Sequence, residues 1–340
     1  MEKIISESKI DQVSRYIDRF DRIVTVCHVS PDGDAIGASL GLYHFLTALG
    51  KQVTPVVPDA LPENLRFLAG AKDILNFDRY PEYGAELIDR AELIFCLDFN
   101  QLSRTGDGIA ALVARASAKK VMIDHHLHPG DFCDVAISHP EIASTSELVF
   151  RLIFRMGMFD ILDVRSATAI YTGMMTDTGN FTYNSNRPDI YFIIEELVRK
   201  GIDKDEIYTK VFNTFSADKV RLNGYATCHK LEVFPEHRAA MITLSREELN
   251  RFHYRKGDTE GLVNVPLGIE GIVFSAFFRE EKNYIKISLR SKGRFPANKV
   301  AAEHFNGGGH LNAAGGEFYG TMDEIKAAFK ALLPQYAEYL

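Results

Sequence analysis

Short apolar runs and stretches of helical period alternate along the first half of the chain. Ile23-Val24-Thr25-Val26-Cys27, Leu93-Ile94-Phe95-Cys96-Leu97 and Val121-Met122-Ile123 are apolar and partly β-branched, and each stops abruptly on acid or imidazole side chains. Runs of that kind read as buried strands that deliver polar residues to a cleft. Further strands are expected near residues 52–57 and, as an edge strand, 134–137. Helical patterns fall between them over 35–49, 63–68, 108–117 and 144–156, and from Val164 to the polar turn Thr176-Asp177-Thr178-Gly179-Asn180. Gly37 and Gly41 predict close packing of their helix on the sheet, and Gly50 stops that helix. Val13, Tyr16, Ile17 and Phe20 recur at helical spacing among charges, which reads as an amphipathic helix rather than a signal peptide.

Past residue 187 the pattern changes. Helices are expected near 188–200, 204–215 and 218–229, then β-rich segments at 231–234, 238–244, 271–278 and 284–290. A helix over 297–305 leads into the glycine loop Asn306-Gly307-Gly308-Gly309-His310, and a strand at 315–319 and a helix at 322–333 close the chain. The fold class is therefore α/β: an N-terminal, mainly parallel sheet with helices on both faces (1–190), a helical linker (191–229) and a smaller mixed α/β domain (230–340). A length of 340 residues suits two domains. No internal repeat is visible.

Composition narrows the function classes. With 46% hydrophobic and 25% charged residues the chain reads as an ordinary globular protein with no membrane partner, and the cytoplasm is the default location. Four cysteines without CxxC spacing argue against a zinc knuckle or a disulfide framework. A net charge of −7 argues against tight binding of long nucleic acid, whose affinity rests on many phosphate contacts, but leaves room for a small phosphorylated substrate.

In open α/β sheets ligands bind beyond the carboxyl ends of the strands. Such ends here carry His28-Val29-Ser30-Pro31-Asp32-Gly33-Asp34, Asp98 and Asp124-His125-His126, and Asp177 follows the helix from Val164. Carboxylates crowded on one rim repel one another unless a divalent cation holds them. Carboxylate and imidazole without thiolate favour manganese or magnesium over zinc.

These stretches, together with Gly307-Gly308-Gly309-His310-x-x-Ala313-Ala314-Gly315, resemble the DHH phosphoesterase family with its C-terminal DHH-associated domain, in the family's motif order and over nearly the whole chain. The size is most similar to the stand-alone branch of oligoribonucleases (nanoRNases) and pAp phosphatases. The resemblance implies two manganese ions, with magnesium as the substitute. His28, Asp32 and Asp98 would hold one, and Asp34, Asp98, His125 and Asp177 the other, Asp98 bridging. Asp124 would orient a ligand imidazole, and His126 would contact the phosphoryl group or protonate the leaving oxygen. Water would attack phosphorus directly, without a covalent intermediate.

The second domain is implied to hold the rest of the nucleotide. The glycines at 307–309 and His310 would form a phosphate nest, Arg290 and Ser291 would clamp a non-scissile phosphate, and Arg104 is a further phosphate contact. The expected activity is hydrolysis of short oligoribonucleotides to mononucleotides and of 3′-phosphoadenosine 5′-phosphate (pAp) to AMP. Cyclic di-AMP or linear dinucleotides such as pApA are the rival substrates, and a non-catalytic nucleotide sensor is the reading from another class. Partners are short single-stranded RNA or small nucleotides, with no long nucleic acid; small DHH proteins are often homodimers.

Overall fold

The structure, a computed structural model, describes residues 2–339 and divides into two compact units, one ending at Thr214 and one beginning at Phe215. The first is built on six strands, β1 (Arg22–Val26), β2 (Gln52–Val57), β3 (Leu75–Asn76), β4 (Leu93–Leu97), β5 (Lys119–Asp124) and β6 (Val135–Ser138). They run in the order β3-β2-β1-β4-β5-β6, and every neighbouring pair is parallel. Helices α1 (Glu7–Arg19), α2 (Gly33–Ala48), α3 (Pro81–Arg90), α4 (Asp107–Arg115), α5 (Thr145–Arg155), α6 (Val164–Asp177), α7 (Pro188–Arg199) and α8 (Lys204–Phe212) complete this unit.

The unbroken apolar runs follow from a sheet covered on both faces. Side chains alternate across a strand. Ile23, Phe95 and Ile123 therefore enter a core with Ile17 of α1, Phe45 of α2, Val149 of α5 and Ile170 of α6. Their neighbours Val24, Ile94 and Met122 enter a second core with Ile88 of α3 and Val113 of α4. Both faces of these strands are covered, so apart from Thr25 in β1 their interiors are apolar and the charged residues lie where the strands begin and end.

The glycines of α2 serve another purpose than the one expected. They face α6, not the sheet: a Cβ on Gly37 would lie 2.6 Å from the carbonyl oxygen of Ala169, one on Gly33 would strike Thr176, and one on Gly41 would strike Ile170. A glycine at every fourth position makes one flat stripe along α2, and α6 lies against it at backbone distance.

The segment 191–229 is shared between the units. Ile193 and Leu197 of α7 and Ile207 and Val211 of α8 are buried in the first core, whereas Leu222 and Ala226 of α9 (Ala217–His229) pack with Ile242 and Leu249 in the second unit. That unit also contains β7 (Leu231–Phe234), β8 (Ala239–Leu244), α10 (Arg246–Arg251), β9 (Phe274–Glu280), β10 (Ile285–Ser291), α11 (Ala297–His304), β11 (Gly308–His310), β12 (Ala313–Phe318) and α12 (Met322–Leu332). Its sheet order is β11-β12-β10-β9-β8-β7, antiparallel except for the parallel pair β8 and β9. Phe274, Phe278, Leu289, Phe295 and Phe329 fill its main core. The strand expected from residue 271 starts at Phe274, because Gly271 turns the chain with φ +82°. Among the described residues no helix is long and apolar enough to cross a membrane.

Candidate active site

The strand order reverses between β1 and β4, which lie side by side at the centre of the first sheet. At such a switch point the loops leaving the strands diverge to opposite faces and open a crevice. His28 follows β1, Asp98 follows β4 and Asp124-His125-His126 ends β5, so three of the four sequence stretches meet there by topology alone. The helix pair supplies the fourth. Asp34 lies in the first turn of α2 and Asp177 is the last residue of α6.

Three groups of potential ligand atoms result, each within 4.8 Å of one another: His28, Asp32 and Asp98; Asp34, His125 and Asp177; and Asp98, His125 and His126. Asp98 joins the first group to the third. Its Oδ2 lies 3.3 Å from His28 Nε2, and its Oδ1 lies 3.5 Å from His125 Nε2. His125 Nε2 is also 3.3 Å from Asp177 Oδ2 and 4.0 Å from Asp34 Oδ2. Asp98 takes φ +63°, in the left-handed region that costs a residue with a Cβ, so its placement is enforced by its surroundings.

The two imidazoles are set for a cation. His28 Nδ1 lies 2.8 Å from the carbonyl of Val29, and His125 Nδ1 lies 3.2 Å from that of Ile142. A carbonyl only accepts, so Nδ1 carries the proton in both rings and Nε2 presents a lone pair toward the carboxylates. Lone pair facing carboxylate is unfavourable unless the ring takes a second proton or a metal ion lies between them.

Charge in the site is correspondingly strained. Burial disfavours a charged His28, but the bond and charge of Asp98 outweigh it and raise the ring to about 9. Asp34 is raised to about 7, first by burial and then by the charge of Asp98. Burial and the charges of Asp34, Asp32 and Asp98 push Asp177 well above the usual carboxylate range. Asp98 also loses solvation, but the bond and charge of His28 and the charges of His125 and His126 hold it well below that range. Protons and imidazolium charge thus compensate carboxylates that a divalent cation would compensate better, and the donor set fits such an ion.

Asp124 holds one imidazole of the third group. It is fully buried and grips His126: Oδ1 lies 2.7 Å from His126 Nδ1, and Oδ2 accepts the His126 N–H at 3.0 Å. The reason is local. Two residues on from an aspartate, the chain folds back so that ring and backbone both reach the carboxylate, whereas the intervening His125 places its Nδ1 on the carbonyl of Ile142.

Three contributions are not apparent from the sequence. The first turn of α5 embraces the cluster: the N–H groups of Thr145 and Ser146 donate to the two oxygens of Asp34 at 2.6 and 2.8 Å, and Thr145 Oγ1 donates to Asp98 Oδ1 at 2.9 Å. Asp59, after β2, accepts the N–H of Ser30 at 2.8 Å and so fixes the loop between His28 and Asp32. Asp59 follows an apolar strand as Asp98 does, and the same rule finds it. Ser144-Thr145-Ser146 before an apolar helix carries more hydroxyls than a cap requires, and that surplus is the available signal.

Arg104 is half-buried in the loop after β4, and its carbonyl accepts the N–H of Val29 at 2.7 Å. In the second unit Arg290 sits on β10 with its NH1 on the carbonyl of Leu289 at 2.9 Å, and burial lowers its pKa. Among the described residues no carboxylate pairs with it. The Ser291 hydroxyl is already taken up by the carbonyl of Phe295 and the amide of Asn312, each at 2.8 Å. The glycine loop is partly strand: Gly308–His310 forms β11 on β12. Cβ atoms on Gly307 and Gly309 would strike the carbonyls of Gly315 and Ala313, and the Gly307 N–H is bound to Ala301, which leaves Gly308 open and exposed. The basic run between Arg279 and Lys299 is not a free stripe, since Arg279 pairs with Glu281 and Lys299 with Glu303.

Comparison with known proteins agrees with this layout. Residues 22–174 match the DHH family N-terminal domain, and residues 241–335 match the DHHA1 domain. A protein of Thermus thermophilus named a bifunctional oligoribonuclease and PAP phosphatase NrnA is 30% identical over 94% of this chain and 90% of its own length. A protein of the same name from Bacillus subtilis is 27% identical over 96% and 99%. The crystal structure of an exopolyphosphatase-related protein from Bacteroides fragilis superposes with a TM-score of 0.98 at 55% identity, covering 100% of this chain and 99% of that one.

Proposed function

The chain belongs to the DHH family, and from that premise we propose that it is a two-metal phosphoesterase that cuts short oligoribonucleotides to mononucleotides and removes the 3′-phosphate of pAp. The observation that carries the reading is the pair of imidazoles, His28 and His125, whose Nδ1 atoms are fixed by backbone carbonyls while Nε2 faces shared carboxylates. His28, Asp32 and Asp98 would hold one ion, and Asp34, Asp98, His125 and Asp177 the other. The oxygen-rich set favours manganese, with magnesium as substitute. When bound, the ions supply Lewis acidity at the phosphoryl oxygens.

The remaining chemistry belongs to the chain. Asp124 holds His126 by ring and backbone, so that as an imidazolium the ring keeps its Nδ1–H on Asp124 and can give the Nε2 proton to the departing oxygen. Arg290, half-buried and with no carboxylate paired to it among the described residues, supplies a cation for a phosphate that is not cut. Exposed Gly308 lets a phosphate approach the backbone beside His310, and Arg104 contributes a second cation. Ser291 shapes the turn that presents Arg290. The two named relatives support the same substrate class.

Product analysis tests the proposal: two- to five-residue RNA, a long RNA, pAp, cyclic di-AMP, pApA and pyrophosphate, each with manganese and with a chelator. Mononucleotides from the short RNAs and AMP from pAp, both abolished by chelation, are the expected result. Selective turnover of cyclic di-AMP or pApA would replace the substrate assignment, and an inert panel with tight nucleotide binding would replace the enzyme by a sensor.

A further inference from the structure

Thr145 is the first residue of α5, wholly buried, and it touches both halves of the cluster at once. Its N–H donates to Asp34 Oδ2 at 2.6 Å and its hydroxyl to Asp98 Oδ1 at 2.9 Å. At the head of a helix there is no preceding helical carbonyl for a threonine hydroxyl to bond back to, so the hydroxyl is available for a distant acceptor. The acceptor lies 47 residues away in sequence and on another element.

Asp98 needs such a partner. A carboxylate turns softly about its last side-chain torsion, yet this one must send Oδ2 toward His28 and Oδ1 toward His125, at 3.3 and 3.5 Å. Once each Nε2 lone pair is directed at a cation, those rings no longer donate to Asp98. Among the described residues, Thr145 Oγ1 is then the side-chain donor that remains on this carboxylate.

We propose that the Thr145 hydroxyl is a positioning group for the paired metal ions: it locks the rotation of Asp98 so that one oxygen serves each ion, and thereby couples occupancy of the two positions. The inference rests on the two-metal reading. It also assigns the front of α5 to the active site, as the element that sets the spacing between the Asp34 and Asp98 carboxylates.

The test is manganese titration of the metal-free full chain by calorimetry, with electron paramagnetic resonance to separate isolated from spin-coupled manganese. Thr145→Ser keeps the hydroxyl; Thr145→Val and Thr145→Ala remove it with different volumes, so that a packing fault in one is recognised by the other. The expected result is two coupled ions in wild type and Thr145→Ser. In both hydroxyl-free variants manganese affinity falls by roughly 10- to 100-fold, as for other groups that orient metal ligands, and the coupled signal is lost at stoichiometric load. Unchanged affinity and coupling in Thr145→Val or Thr145→Ala would overturn the inference. So would a fall in Thr145→Ser equal to theirs, which would assign the role to the methyl group. A wild type that takes up no manganese would instead overturn the two-metal reading.

Discussion

At the scale of single residues, the site separates side chains that face the cluster from one that acts through a neighbour. Asp98 faces histidines on both sides, whereas Asp124 reaches the chemistry only through His126. Asp124→Asn should lower kcat by roughly 10- to 100-fold and leave manganese stoichiometry at the wild-type value. Asp98→Ala should cost far more and should remove an ion. Equal losses in the two variants at saturating metal, read from kcat and from metal titration, would refute the separation. Much of this was legible in the sequence, because His28, Asp98 and His125 each follow an apolar strand. The partner of Asp124 was not, since the fold of a two-residue turn decides which imidazole the carboxylate meets. Thr145 was hidden by chemistry: a hydroxyl at a helix start satisfies a cap as readily as it satisfies a carboxylate elsewhere.

At the scale of elements, the contact between α2 and α6 sets the distance between Asp34 and Asp177. Gly37→Ala would push a methyl into the backbone of α6, 2.6 Å from the Ala169 oxygen and 2.8 Å from the Gly173 nitrogen. Overpacking of this kind costs about 1–3 kcal/mol, and the separation it forces should also weaken metal binding. Denaturant unfolding and manganese titration measure the two effects, and a stable variant with weakened binding would locate the fault in the helix spacing. The far end of α6 gives an independent prediction. Asp163 caps it by accepting the Ser166 N–H at 2.9 Å and pairs with Arg165. Partial burial opposes its charge, but these partners hold its pKa below the ordinary value. The cap therefore stabilises the fold above the carboxylate range near pH 4 and is lost as pH falls through the folded-state pKa. Asp163→Ala should cost about 1 kcal/mol at pH 7 and progressively less in acid, as denaturation curves across pH would show. Helix α3 escaped detection in the sequence because it buries only Gly84 and Ile88, too few positions to show a period. The glycines of α2 showed a close approach but not its partner, since a flat stripe fits a sheet or a helix equally well.

At the scale of the whole molecule, five strands of the first unit were legible, because both faces of the sheet are covered, whereas β3 was not, since two residues show no pattern; the switch point lies where the strand order reverses. The division of 191–229 between two cores was not, because apolar faces on consecutive helices do not say which core they enter. The ligand positions are far apart in the chain, from His28 through Asp98 and His125 to Asp177, and β1 pairs with β4 although β2 and β3 come between them in the sequence. During folding, therefore, no early local structure can gather more than the His28, Asp32 and Asp34 loop. The complete constellation needs all of these contacts of high sequence separation, including that of α6 on α2, and is expected to form after the folding transition state. Interactions absent from the transition state slow unfolding without speeding folding. Stopped-flow kinetics with and without manganese should accordingly give matching refolding rates and a slower unfolding rate with the metal, so that the ions act as a latch on the finished protein rather than as a template for making it.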